Sequence, residues 1–299
     1  MKKLFVITVL VLFAATMGYA QNNAETVQVG DENESIVSQV GNSEAHVFQG
    51  SGFVFYPAAD EDGTAENNTA EINQNGNFTA YIGQGINEGT SINSEAEITQ
   101  SGSDGYADIF QGVLGTADNA VANISQNGSG NTGAIRQSQV GSVVDIEASI
   151  IQNGSDNWSS VLQGFGGNSS SIDNSATVTQ QGDNNNSTTI LQGSNVAAAG
   201  PGSGAGTAEG NDATVIQNGS NNGNADGVRI NQGINGGMAF DNTGFILQNG
   251  NSNDALINQG VGVNISSQNS EANIYQYSDN NSATVNQQGL LNRANVTQN

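Results

Sequence analysis

The chain has 299 residues, with 28 acidic side chains, five basic ones, one histidine and no cysteine. So few cations cannot neutralise a phosphate backbone, which excludes a nucleic-acid binder, and an anionic membrane surface would repel the chain for the same reason. With no disulfide available and 6% aromatic residues, the chain would be disordered unless its polar residues recur in register.

Lys2 and Lys3, the apolar run Leu4 to Ala15 and the small-residue site Gly18-Tyr19-Ala20 predict a secretory signal peptide over residues 1–20, removed before Gln21. The apolar run is too short to cross a bilayer, and nothing later reads as a membrane span. Removal takes both lysines. The 28 acids then face only Arg136, Arg229 and Arg293, a formal net charge of −25.

Residues 21–50 start at once with alternating strands such as Ala24-x-Thr26-x-Gln28. Residues 51–69, SGFVFYPAADEDG and its continuation, read as a surface loop around Pro57, because proline cannot donate to a strand ladder. From Ala70 to Asn299 the pattern is a repeat, interrupted by a second long loop at 193–212 around Pro201. The clearest copies are Ala70-x-Ile72-x-Gln74, Ala96-x-Ile98-x-Gln100, Ala122-x-Ile124-x-Gln126 and Ala148-x-Ile150-x-Gln152, spaced by 26 residues. The series continues through Gln180, Gln217, Gln248, Gln276 and Gln298. An interleaved second series ends at Gln84, Gln111, Gln137, Gln163, Gln192, Gln232, Gln259 and Gln287. Gly/Asn/Asp/Ser clusters such as Gly128-Ser129-Gly130-Asn131 separate the two and read as tight turns.

Alternation places Ala, Ile or Val and Gln on one face of every strand. An inward glutamine is costly unless its amide is paired. Stacking like strands about 4.8 Å apart pairs each amide with the copy above and below. The expected fold is therefore all-β: a β-solenoid of about ten layers with two short strands per layer, cross-β stacking, and ladders of Gln and of Ile/Val. In the crossovers, Ile92, Val144, Ile172 and Phe240 either close the open side of the core or lie on the surface as lone apolar residues. The final strand, Ala294-x-Val296-x-Gln298, keeps the interior pattern, so the edge it presents is expected to accept a further copy.

The full unit, Gln-x-Gly-x-x-Asn-x-Ala-x-(Ile/Val)-x-Gln, runs from Gln126 through Asn131 to Gln137. It recurs from Gln152 through Asn157 to Gln163, from Gln248 through Asn253 to Gln259 and from Gln287 through Asn292 to Gln298. This resembles the curlin repeat of bacterial curli subunits, with longer and more numerous repeats. The resemblance implies an extracellular functional amyloid of the biofilm matrix with a left-handed solenoid and inward Gln and Asn ladders. Its implied partners are other copies of the chain and a curli-type nucleator, chaperone and outer-membrane secretion machinery.

The chain offers little for chemistry. His46 lies on the face opposite the ladder and reads as a solvated strand residue, with no nucleophile placed beside it. Asp60-Glu61-Asp62-Gly63 lacks the alternating ligand spacing of a calcium loop. Gly200-Pro201-Gly202-Ser203-Gly204 has no following lysine to make a phosphate loop. Trp158 and Tyr81 point outward. No catalytic, metal or cofactor site is expected, and a self-assembling structural subunit is the leading function. A solitary solenoid that binds ice or glycans would need a regular outward array. The outward column Asn73, Thr99, Ser125, Ile151 is irregular. A polysaccharide-cleaving β-helix would need carboxylates with basic partners, and three arginines are a poor supply.

Overall fold

The computed structural model describes residues 21–50, 63–195, 205–223 and 227–299. Residues 1–20, read above as a signal peptide, both prolines and Asp60 to Asp62 lie outside them. Every named strand pairing within these residues is parallel, and successive copies of the repeat stack in register.

The chain coils through three sheets. Sheet I begins with Glu34–Gly41 and takes one strand per layer, through Val121–Ser129 and Glu147–Asn153, to Arg293–Gln298. Sheet II begins with Asn23–Gln28 and runs through Thr132–Gln139 and Trp158–Gln163 to Ser282–Gln287. In two layers, Thr69–Gln84 and Glu95–Val113, one strand passes through the corner and serves both sheets. The described residues thus form ten strands in sheet I and ten in sheet II, a stack about 48 Å high at the usual layer spacing.

Sheet III was not anticipated. It has nine strands of two or three residues, from Thr64–Glu66 to Gly289–Leu290, running along the crossovers. The layer is therefore three-sided rather than a two-strand sandwich. Two segments read as loops carry strands of this sheet, Thr64–Glu66 inside 51–69 and Thr207–Glu209 inside 193–212. Runs of three residues are too short for alternation to stand out from a polar turn.

The core lies between sheets I and II. Ile72, Ile98, Ile124 and Ile150 of sheet I pack with Ile82, Ile109, Ile135 and Val161 of sheet II in one continuous cluster that spans the stack. Sheet III closes the third side with small residues: Ser91, Ala117, Val143, Ser171, Ala208, Ala239 and Ser267 are fully buried. The predicted closers Ile92, Val144, Ile172 and Phe240 are one residue further on and only half-buried. A one-residue shift in a strand moves a side chain to the other face, and the narrow third side admits only small groups.

The corner between sheets I and II depends on glycine. Gly128 has φ of 128°, and a Cβ there would lie 1.9 Å from the carbonyl oxygen of Gly154 in the next layer. Gly76, Gly102, Gly154, Gly182 and Gly219 repeat this close approach. Only a residue without a side chain allows the layers to stack through this corner.

Candidate functional site

The inward glutamines form two unbroken ladders. In sheet I, Gln39, Gln74, Gln100, Gln126, Gln152, Gln180, Gln217, Gln248, Gln276 and Gln298 are joined amide to amide at 2.7–3.0 Å. In sheet II, Gln28, Gln49, Gln84, Gln111, Gln137, Gln163, Gln192, Gln232, Gln259 and Gln287 are joined at 2.6–3.0 Å. All the glutamines expected from the spacing are in these ladders, extended by Gln28, Gln39 and Gln49 at the N-terminal end.

Every ladder bond has the same polarity: Nε2 donates toward the C-terminal end and Oε1 accepts from the N-terminal side. The second Nε2 hydrogen fixes this choice. In most members it reaches a backbone carbonyl of the opposite sheet, as from Gln126 to Tyr106 (3.1 Å), Gln137 to Val121 (3.0 Å) and Gln298 to Ser282 (3.1 Å). A flipped amide would set Oε1 against that carbonyl, two acceptors facing each other. In most members, among them Gln126, Gln137 and Gln259, both amide hydrogens are satisfied inside the core, so the burial cost of the amide is offset.

Asparagines line two corners. Asn131, Asn157, Asn185, Asn222, Asn253 and Asn281 form one column at the corner between sheets I and II. The Oδ1 of each of the first five accepts the backbone N–H of the next member, as Asn131 does from Asn157 at 3.1 Å. Asn292 stands at a different corner, between sheets III and I, where its N–H donates to Ser270 Oγ at 3.3 Å. The unit from Gln287 to Gln298 crosses from sheet II to sheet I, whereas the other three cross from sheet I to sheet II. Asn292 shares its column with Asn33, Asn68, Asn174, Asn211 and Asn242, which use the same acceptor geometry. The signal for this second column was an Asn two residues before the inward Ala or Gly, as in Asn68-x-Ala70 and Asn242-x-Gly244. Where it is replaced by Ala120 and Ile146, a small apolar cluster with Ala117 and Val143 fills the corner.

The outer face of sheet II carries the charged groups that sequence reading missed or misplaced. His46 is not solvated but 9% exposed. Its Nδ1 lies 3.1 Å from Glu25 Oε2 and its Nε2 2.9 Å from Glu44 Oε1, and its ring stacks on Tyr81 with centroids 4.8 Å apart. Two layers on, Asp108 is 3% exposed and bonded through Oδ2 to Arg136 Nη2 (2.7 Å) and to the Tyr106 hydroxyl (3.2 Å), while its Oδ1 has no hydrogen-bond partner. Burial pushes the Asp108 carboxyl above the ordinary carboxylate range, against the opposing pull of Arg136 and the Tyr106 hydrogen bond. The Arg136 guanidinium also sits 5.1 Å from the centre of the Phe110 ring. Trp158 is 39% exposed on the same face, while Tyr81 is half-buried.

Among the described residues, no group of three or more His, Asp or Glu side chains is placed to hold a metal ion, and no helix is long and apolar enough to cross a membrane. The end layers pair on one side only. Asn23–Gln28 meets Glu44–Gln49, and Arg293–Gln298 meets Glu271–Gln276. Val37, Ala294 and Val296 are accordingly only partly buried.

The family model of the curlin associated repeat matches residues 268–299, the segment holding the inward triplets that end at Gln276, Gln287 and Gln298. No curated protein and no solved structure matches the chain.

Proposed function

We propose that this chain, which carries a curlin associated repeat, is a secreted, self-assembling subunit of a curli-like extracellular fibre, with roles in the biofilm matrix and in surface adhesion. The observation that carries the reading is the pair of unbroken amide ladders. Along both ladders, any layer's upper surface complements any layer's lower surface, because the same amide donors and acceptors repeat through the described layers. Such a surface adds a further copy by the interactions that hold its own layers together. Addition of this kind is heterologous and does not close, so it produces a filament. The work of the molecule on this reading is mechanical and adhesive rather than catalytic.

The test is to purify the protein and incubate it. The expected outcome is thioflavin-positive fibres with a cross-β reflection near 4.8 Å. A protein that stays monomeric, with its β-content intact, would exclude the reading.

One observation favours a solitary surface-binding solenoid instead. Outward positions of sheet III carry hydroxyl side chains in six successive layers, Thr64, Thr90, Thr116, Ser142, Ser170 and Thr207. The neighbouring outward column alternates Glu66, Ile92, Asp118 and Val144, so the regular array is one residue wide. Thermal hysteresis or glycan retention by a persistent monomer would favour that reading.

A further inference from the structure

We infer that Asn235 is a modification site, where the folded chain deamidates spontaneously to aspartate and isoaspartate, while the stacked layers shield every other Asn–Gly step. The inference concerns the single chain and stands apart from assembly.

The sequence holds seven Asn–Gly steps, at Asn75, Asn127, Asn153, Asn218, Asn222, Asn235 and Asn249. A glycine after asparagine leaves its amide nitrogen unhindered, and that nitrogen is the nucleophile of the reaction. Deprotonated by solvent hydroxide, it attacks the Asn Cγ. The bond from Cγ to the side-chain nitrogen breaks, ammonia leaves and a five-membered imide closes. Water then opens the imide at either carbonyl. One product is aspartate. The other, isoaspartate, carries the main chain through the former side chain and gains a methylene. The net change is amide plus water to acid plus ammonia. The step needs a glycine nitrogen that is free to rotate onto Cγ.

At the corner between sheets I and II the ladder holds that nitrogen. Gly154 N–H donates to Asn127 O (2.9 Å), Gly219 N–H to Gln181 O (2.9 Å) and Gly250 N–H to Asn218 O (3.1 Å). Gly76 and Gly128 lie within the strands Thr69–Gln84 and Val121–Ser129, each facing Gly102 of the layer between them. Gly223 N–H donates to Asn253 O at 2.8 Å, and Asn222 beside it is fully buried, with its own amide donated to Gly250 O at 3.1 Å. Rotation at any of these six steps requires the stack to open locally first.

Asn235 and Gly236 are placed differently. They occupy the central positions of a turn between sheets II and III, closed by Gly237 N–H donating to Ile234 O at 3.1 Å. φ is 54° at Asn235 and 82° at Gly236, the left-handed pair that Asn–Gly supplies most readily. Neighbouring coils hold the flanks of the turn: Asn235 N–H donates to Ser194 O (3.0 Å), and Gly236 O accepts from Asn264 N–H (3.2 Å). The Gly236 N–H between them has no acceptor among the described residues. Both residues are only half-buried, so hydroxide and water reach the step. Other turns at this corner place Glu88 after Asn87, Ser169 after Asn168 and Ile265 after Asn264, and a side chain on the following residue hinders the attack. Conversion at Asn235 adds a carboxylate to a chain already rich in acids, and isoaspartate lengthens the turn held between Ser194 and Asn264.

The experiment incubates protein purified after expression of the full chain in heavy-oxygen water at mildly alkaline pH, then digests it in ordinary water and maps the peptides by mass spectrometry. Heavy oxygen in a product marks conversion during the incubation. A second sample is held in urea under otherwise identical conditions. In urea all seven steps should convert at comparable rates, because each is an asparagine followed by glycine. In the folded chain Asn235 should convert at least about tenfold faster than any of the other six, which react only through local opening. Conversion at Asn235 no faster than at the other steps, or corner steps that convert in the fold as fast as in urea, overturns the inference.

Discussion

Ile124 and Ser125 are adjacent in sequence and opposite in environment: Ile124 is 1% exposed between the sheets and Ser125 lies on the solvent face. Ile124→Lys places an unpaired charge in the core and should cost on the order of 4 kcal/mol or more. Ser125→Lys should stay within about 0.5 kcal/mol of wild type. Urea unfolding of the two variants measures the difference, and equal midpoints would show that the strand faces are misassigned. Asp108 gives a pH signature. Its carboxyl is raised in the fold by burial, so the folded state holds its proton more tightly than the unfolded chain does. This group's contribution is therefore fully present below the ordinary carboxylate pKa. It is lost as pH rises through the raised folded value. Asp108→Asn removes that slope. The stability difference between variant and wild type should shift in the variant's favour from pH 4 to pH 7, and a difference constant with pH would mean that burial does not govern this carboxyl.

At the scale of the element, the corner glycine sets how closely layers approach. Gly128→Ala drives a methyl group into the Gly154 carbonyl of the next layer and should cost at least about 2 kcal/mol. Gly167, with open space around its Cβ position, should accept alanine readily. Thermal melts of the two variants compare the positions directly. How far the elements were legible in sequence follows their length. The inward triplets of sheets I and II were readable because Ala, Ile and Gln alternate over five positions and recur at a fixed spacing. Sheet III was not, because its strands are two or three residues long and its inward groups, Val143 apart, are Ser or Ala, indistinguishable from turn composition. The corner that Asn292 occupies was not legible for a related reason. The motif around it matches a sheet I to sheet II turn residue for residue, and only the coil phase tells the corners apart. Asp108 and Tyr106 lie on one strand and Arg136 on the next, and the outward residues of these strands follow no pattern, so nothing in the chain announces that they meet.

For the molecule as a whole, the acids lie mainly on outward positions, and stacking copies brings these like charges together. Acidification toward pH 4 neutralises them and added salt screens them. Fibre growth should therefore accelerate under either change. Growth rates followed by thioflavin at several pH and salt values test this, and a rate indifferent to both would show that the outward acids do not restrain assembly.

The parallel stack also determines how such a body yields to a pull. Each coil holds only its neighbours, and the hydrogen bonds between coils run along the axis. Tension applied to the two chain ends therefore strips one coil at a time from an end instead of rupturing the body at once. A coil of 26 residues, such as that from Gln126 to Gln152, pays out roughly 90 Å of thread. The 40-residue coil from Gln192 to Gln232 pays out more because its connection is longer. Held under load, the molecule behaves as a spool that lengthens in steps and dissipates work at each one, and the step lengths record the spacing of its glutamines.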